Sequence, residues 1–394
     1  MKEGSISTVL ILFMAMMLTG CAEKDNSTIV TGADQTGMYL QYLHGKNVAM
    51  TINHSSIIGD KPSLDSLLSL GIKVVRVFGP EHGFRGNASD GAPIDNDIDQ
   101  KTGVPIISLY GDHYKPTPEE LEGIDVMIYD IQDVGVRFYT FLSTLHNVME
   151  ACAEDSIELI VLDRPNPNGF YVDGPIREEG FVTFVSMDPI PIVHGMTFGE
   201  YAQMANGEGW LENGVKCNLR VIPMLNYNHN KEYVCPVPPS PNLNTQQSIL
   251  LYPSLCLFEG TEISQGRGTT FPFQVLGNPE LKGQYTFSFT PVSIPGMSVH
   301  PPLLGKECFG LDLRKYNTDI FRKTGRINLS WLKELYAAYP DKANFFNDYF
   351  RNLAGTDKLK EQIVAGKTEE EIRASWEPGL TNYKNMRVKY LIYE

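Results

Sequence analysis

The chain has 394 residues, a formal net charge of −14 and a hydrophobic content of 42%, which is length enough for two domains and a sizeable core. A surface this acidic excludes a general nucleic-acid role and an electrostatic membrane patch, because both need clustered cations. Its six cysteines show no CxxC or Cys/His spacing, so no zinc site is indicated.

Lys2 precedes an apolar run from Ile6 to Leu18 that is too short to span a bilayer and ends in Leu18-Thr19-Gly20-Cys21. Small residues directly before a cysteine form the pattern of a bacterial lipobox, in which the thiol of Cys21 is acylated and becomes the mature N-terminus. Residues 1–21 are therefore expected to be a lipoprotein signal, and the mature chain to be exported and lipid-anchored at the periplasmic face of the outer membrane. The polar stretch 22–37 has no hydrophobic period and reads as a tether. Of the remaining cysteines, Cys217 and Cys235 flank one segment and are the best-placed disulfide pair; the alternative is that Cys152, Cys217, Cys235, Cys256 and Cys308 are buried apolar side chains.

Residues 38–240 read as a doubly wound domain. Asn47 to Ile52 predicts a strand ending at Asn53, and Leu64, Leu67, Leu68 and Leu70 follow at helical spacing with Gly71 as a stop. Val74, Val75 and Val77 predict a second strand, which Gly79-Pro80 ends, so Glu81 and His82 sit just past its carboxyl end. Gly83 and Gly86 allow the backbone to bend close to a ligand there. Such a β-α-β unit with short connections is right-handed and implies a parallel sheet. The polar loop Asn87 to Thr102 carries Asp95, Asp97 and Asp99 at spacing two, yet lacks the glycine and distal glutamate of a calcium loop.

Further strands are expected over Pro105–Leu109, Asp125–Ile131 and Ile157–Leu162, with a brief helix at Lys115–Leu121 and an amphipathic one from Phe138 to Cys152. Thr197 with Glu200 three residues on predicts a capped helix start, leaving His194 just outside its N-terminus. Leu219 to Met224 reads as a sixth strand. The Pro-rich run Val237 to Leu243 is either the domain boundary or a pre-ordered wall of the site. Residues 241–394 then read as a smaller, β-rich α+β domain with helices near Leu329–Tyr339 and Thr368–Trp376 and a final strand Arg387–Tyr393.

Strand after strand ends in a polar group: Asn53, Glu81, Asp130 with Asp133, and Asp163 with Arg164. In a parallel sheet these ends share one edge, where ligands bind. Neither GxGxxG after the first strand nor GxxxxGK[ST] nor GxSxG occurs, so the dinucleotide, P-loop and serine-hydrolase readings fall away and no cofactor is expected. An acid-rich cleft without a cofactor suits glycoside hydrolysis, whose cationic transition state is served by two carboxyl groups. Glu81 is the expected acid, because Phe78, Pro80 and Phe84 make its surroundings partly apolar and desolvation raises a carboxyl pKa. Asp130 or Asp133 is the expected partner. Tyr139 is a candidate for stacking on a sugar, and Arg137 and Arg164 for binding, the alternative being that they neutralise Asp133 and Asp163. Asn53, His82, Asp163, His194, Asn242 and Arg267, which lies between two glycines, complete the candidate binding set. A competing metal site of His54, His82, His113 and His194 with Asp130 lacks HExxH or similar spacing.

The ordered motifs FGPEHGFRG, YDIQDVGVRFYT, VLDRPNPNG, PIPIVHGMTFGE, PPSPNL and EGTEISQGRGTTFPF resemble those of the NamZ-type exo-β-N-acetylmuramidases of bacterial peptidoglycan recycling, over nearly the whole mature chain. The resemblance implies a Rossmann-like domain plus a smaller β-rich one, a cleft between them, and release of N-acetylmuramic acid from the non-reducing ends of muramoyl saccharides. It also implies that Glu81 is the catalytic acid/base. Glu262 stands where the family motif is expected to carry Asn. The second catalytic group is left to a cleft aspartate or to the substrate's own 2-acetamido oxygen. The lactyl carboxylate of the substrate calls for a cleft arginine, Arg267 or Arg164. The competing class is a non-catalytic surface lipoprotein that binds cell-wall glycan; under either reading the chain meets the membrane only through its lipid anchor.

Overall fold

Valine- and isoleucine-rich runs in the first half form the strands of one sheet. A computed structural model describes residues 28–81 and 96–394; Cys21, His82, Gly83, Gly86 and Asp95 lie outside them. The strands are β1 (Val48–Ile52), the short hairpin β2 (Ile57–Ile58) and β3 (Lys61–Pro62), β4 (Val74–Gly79), β5 (Asp97–Ile98), β6 (Pro105–Ser108), β7 (Val126–Asp130), β8 (Glu158–Leu162) and β9 (Leu219–Ile222). Seven of them form one sheet in the order β5-β6-β4-β1-β7-β8-β9, parallel throughout except for β5 at the edge. In chain order the six parallel strands run 3-2-1-4-5-6, the doubly wound order whose switch point lies beside the first strand.

Side chains alternate across this sheet and meet two different cores. Val48, Met50, Ile52, Val77, Val126, Ile128 and Leu162 pack with α1 (Thr36–Leu43) and α2 (Ser63–Ser69) on one face. Ala49, Phe78, Met127, Tyr129, Leu159 and Val161 pack on the other. There, beyond the short α3 (Pro118–Leu121), they meet α4 (Phe141–Glu154) and α5 (Phe198–Glu208). This second core runs on without a break into the C-terminal half, through α6 (Gln246–Leu255) to Phe345, Phe350 and Trp376. The helix start read from the sequence at Thr197 forms as expected, with the Thr197–Glu200 capping box complete, and the brief helix α3 starts on a second one, Thr117–Glu120.

Four expectations change. The described part of the proposed tether, 28–37, is folded onto the sheet: Val30 bridges Leu225, Gly32 donates to the Asp163 carbonyl at 2.9 Å, and Ala33 is buried. Backbone bonds hold it, and glycine is required because a Cβ at residue 32 would stand 2.3 Å from the Ile222 carbonyl oxygen. The C-terminal half is α+β with helices predominating; its strands, β10 (Val275–Asn278), β11 (Phe287–Phe289) and β12 (Cys308–Asp312), form one small sheet in the order β10-β12-β11. The expected final strand is instead the end of the helix Glu369–Arg387 and a following turn Val388–Tyr390, because Ile372, Trp376, Leu380 and Tyr383 bury one helical stripe. All five described cysteines are free, so Cys217 and Cys235 form no disulfide.

Candidate active site

Where β4 ends, Pro80 is buried and Glu81 emerges into a cavity of about 910 Å³ between the carboxyl edge of the sheet and the C-terminal half. Both of its carboxylate oxygens are engaged. The Tyr110 hydroxyl, from the loop after β6, donates to Oε1 at 3.0 Å, and the Thr140 hydroxyl, from the turn before α4, donates to Oε2 at 2.8 Å. Two separate strand-to-helix connections, β6–α3 and β7–α4, thus hold this acid in one orientation.

The Pro-rich run is a wall of the same cavity. Tyr139 donates to the Pro239 carbonyl at 2.8 Å, its ring meets Tyr252 edge-on at 6.2 Å, and Ser240, Asn242 and Leu243 face the space. Asn242 donates to the Met297 carbonyl at 3.2 Å, which leaves its Oδ1 buried without a partner, and Gln265 Oε1 is in the same state. At this end Arg267 lies 5.0 Å over the Phe273 ring and donates through Nε to Glu259 Oε1 at 2.7 Å. Tyr349, 39% exposed, lines the same cavity. Glu81, Tyr139, Asn242 and Arg267 are the sequence candidates that the fold brings together.

The other candidates lie off the described wall of the cavity. Asp130 is fully buried and paired with Arg164 through Nε at 2.6 Å and a terminal nitrogen at 3.1 Å; Arg164 also donates to the Ile57 carbonyl at 2.7 Å. Arg164 therefore neutralises Asp130 rather than Asp163. Asp163 accepts from Thr197 Oγ1 at 2.7 Å, Gly199 N at 2.9 Å and Tyr393 Oη at 2.7 Å, tying α5 to the chain's end, and burial pushes its pKa up to about 7. Asp133 is buried with His194 Nε2 3.5 Å away, while His194 Nδ1 accepts from the Met196 amide at 3.2 Å. Asn53 closes its own turn, accepting from the amide and hydroxyl of Ser55 at 2.9 and 2.6 Å. Arg137 does not touch Asp133; it donates to the carbonyls of Pro175, Ile190, Leu353 and Ala354 at 2.6–2.9 Å, and burial lowers its pKa to about 9. Asp130, Arg164, Asp163 and Arg137 thus satisfy buried polar atoms away from the described cavity wall, whereas both Asp133 carboxylate oxygens and His194 Nε2 are buried without a hydrogen-bond partner.

The three described histidines of the competing metal site, His54, His113 and His194, are engaged separately. His54 meets the Pro238 carbonyl, His113 meets Ser108 and Glu120, and His194 sits beside Asp133. Among the described residues no group of three His, Cys, Asp or Glu is placed to hold a metal. Glu262 is exposed and lies off the described cavity wall, so it adds no carboxylate there. Glu259 was not among the sequence candidates, nor were Tyr110 and Thr140. The signal for Glu259 lay in the EGTEISQGRGTT run, where it and Arg267 are eight residues apart with opposite charge.

The family model "Exo-beta-N-acetylmuramidase NamZ, N-terminal" matches residues 48–247, and its C-terminal counterpart matches 250–393. The chain is 38% identical over 396 aligned positions to the peptidoglycan β-N-acetylmuramidase NamZ of Bacillus subtilis (strain 168), covering 94% of each chain. Two crystal structures of DUF1343 family proteins from Bacteroides fragilis NCTC 9343 superpose on it. One has a TM-score of 0.87 at 46% identity, the other 0.78 at 28%; each covers 93% of this chain and 99% of its own. With both family models matched end to end over the folded chain, this protein belongs to the NamZ family of exo-β-N-acetylmuramidases.

Proposed function

We propose that this protein is an exo-acting glycoside hydrolase that releases N-acetylmuramic acid from the non-reducing end of peptidoglycan fragments. The observation that carries the reading is Glu81, a carboxyl group held by two hydroxyls on the wall of a sugar-sized cavity, in a chain of this family. Glu81 gives its proton to the glycosidic oxygen as the bond to the anomeric carbon breaks; Tyr110 and Thr140 keep it aimed, which is the geometric part of acid catalysis. Asp130 and Asp133 are enclosed below the cavity, and Glu259 Oε1 is committed to Arg267. In this reading, attack on the anomeric carbon therefore falls to a group that the substrate or solvent brings. Arg267 takes the lactyl carboxylate, since a guanidinium matches a carboxylate in geometry and charge.

The same reading makes the chain an exported lipoprotein acylated at Cys21 and held at the periplasmic face of the outer membrane. The support is the LTGC sequence after an apolar run; among the described residues no helix is long and apolar enough to cross a membrane. A Cys21→Ala protein recovered in the soluble rather than the membrane fraction supports the anchor, and one still in the membrane refutes it.

The activity is tested by giving the soluble domain a chromogenic N-acetylmuramoyl glycoside beside its N-acetylglucosaminyl counterpart. The muramoyl compound is expected to be cleaved, with turnover falling about 10²–10⁴-fold in Glu81→Gln. Equal turnover in Glu81→Gln removes Glu81 from the chemistry, and a wild-type protein that binds the glycoside without cleaving it makes the chain a binding lipoprotein.

A further inference from the structure

Besides Glu81 the cavity wall carries two unlike sets of groups. One is Arg267, Gln265 and Phe273, the last two being 2% and 1% exposed. The other is two aromatic rings from two different loops, Tyr114 after β6 and Phe184 on the tight Thr183–Ser186 turn. Their centroids are 4.1 Å apart at 33°, and Tyr114 is 36% exposed. Tyr110 meets Tyr114 edge-on at 6.3 Å and donates its hydroxyl to Glu81, so one residue separates this platform from the acid.

We propose that the Tyr114 ring, backed by Phe184, forms the platform that receives the pyranose ring on the leaving-group side of the scissile bond, which fixes the direction in which the glycan enters. The inference rests on the muramidase reading of Glu81. An exo-acting enzyme holds the terminal sugar and the unit next to it on opposite sides of the scissile bond. The anionic muramoyl unit belongs with Arg267, which leaves the aromatic pair for the neighbouring sugar; Lys115, next to Tyr114, is engaged by Glu150 and Glu154 at 3.3 and 2.8 Å and lies off the cavity wall. A β-linked pyranose presents axial C–H groups on its faces, which pack on an aromatic plane. The platform is preformed, since Asn147 on α4 donates to the Tyr114 carbonyl at 3.0 Å and the Phe184 turn is closed by two backbone bonds between Thr183 and Ser186.

The test compares two substrates that share the muramoyl unit: N-acetylmuramoyl-β-1,4-N-acetylglucosamine, and β-N-acetylmuramoyl fluoride, whose leaving group has no ring to stack. Tyr114→Ala is expected to lower kcat/KM for the disaccharide about tenfold, chiefly through KM, with the fluoride unaffected. Tyr114→Phe, which keeps the ring, is expected to retain wild-type values on both. Equal losses on the two substrates, or no loss on the disaccharide, overturn the platform while leaving the muramidase reading intact. A wild-type enzyme inert toward both compounds overturns that reading and the platform with it.

Discussion

Asp130 separates a structural from a catalytic reading of the sheet edge, and Asp130→Asn is the substitution that decides between them. Its carboxylate is fully buried and receives two charge-assisted bonds from Arg164, at 2.6 and 3.1 Å, while Arg164 is 3% exposed. Removing one partner of such a pair leaves a buried charge uncompensated, at a cost of about 3–5 kcal/mol. For 394 residues, an unfolding entropy of about 2.1 cal/mol/K per residue gives about 0.8 kcal/mol/K, so Tm should fall by about 4–6 °C. Scanning calorimetry reads the shift, and kcat of the folded variant on a muramoyl glycoside should stay near wild type. The double variant Asp130→Leu with Arg164→Met, which removes both charges, should regain most of the lost stability. An unchanged Tm with turnover reduced a hundredfold or more, on the scale of losing an acid or base, would refute the reasoning and return Asp130 to the chemistry.

Arg267→Ala should lower kcat/KM for the muramoyl substrate about tenfold or more while leaving any residual glucosaminyl cleavage unchanged, as expected for a lost charge-assisted contact; parallel losses would mean that Arg267 only holds Glu259. Arg137→Met strips donors from four buried carbonyls and should cost at least about 3 kcal/mol by urea unfolding, with Arg137→Lys failing to restore it because an ammonium cannot reproduce the guanidinium fork; a lysine variant as stable as wild type would refute the four-carbonyl clamp. His146 lies between Asp188 and Glu150, at 2.9 and 3.0 Å; burial alone would lower its pKa, but these bonds raise it to about 9. Because the folded pKa is above the unfolded one, this stabilisation is complete below pH about 6.5 and lost as pH rises through about 9. Tm should therefore fall over that window in wild type and less steeply in His146→Gln, and identical slopes would refute the assignment.

Much of this architecture was open to reading in the chain. Valine-rich runs ended by glycine and proline located the strands, Thr197 with Glu200 located a helix start, and the break after β4 delivered Glu81 to the carboxyl edge. What went unread was direction. In β7, Val126 and Ile128 face α1 and α2, so Asp130, two residues on, faces them too, and Arg164, two residues past Leu162 at the end of β8, meets it on that side. Both thus turn away from the face on which the cavity opens, where Phe138, Tyr139 and Tyr252 belong to the other core. Asp163, of opposite parity, goes to the cavity's face, yet it is claimed there by Thr197 and Tyr393. The C-terminal segment was misjudged for a related reason: its short apolar alternation resembles a strand, while the stripe that decides it, Ile372 to Tyr383, is defined by what it packs against.

The sequence by itself determined the local elements, the alternation of side chains along each strand, the family, and the place of Glu81 just past β4, because each depends on residues close together in the chain or on motifs kept whole. Only the tertiary structure decided which face of the sheet the second half would cover. That choice made Glu81 a cavity residue, turned Asp130 and Arg137 into buried supports, enclosed Asp133, and brought Glu259, Arg267 and the Tyr114–Phe184 pair onto the wall of one cavity. The reason is physical: a strand dictates only that neighbours point opposite ways, whereas the use made of each direction is set by long-range burial, which no short stretch of the chain contains.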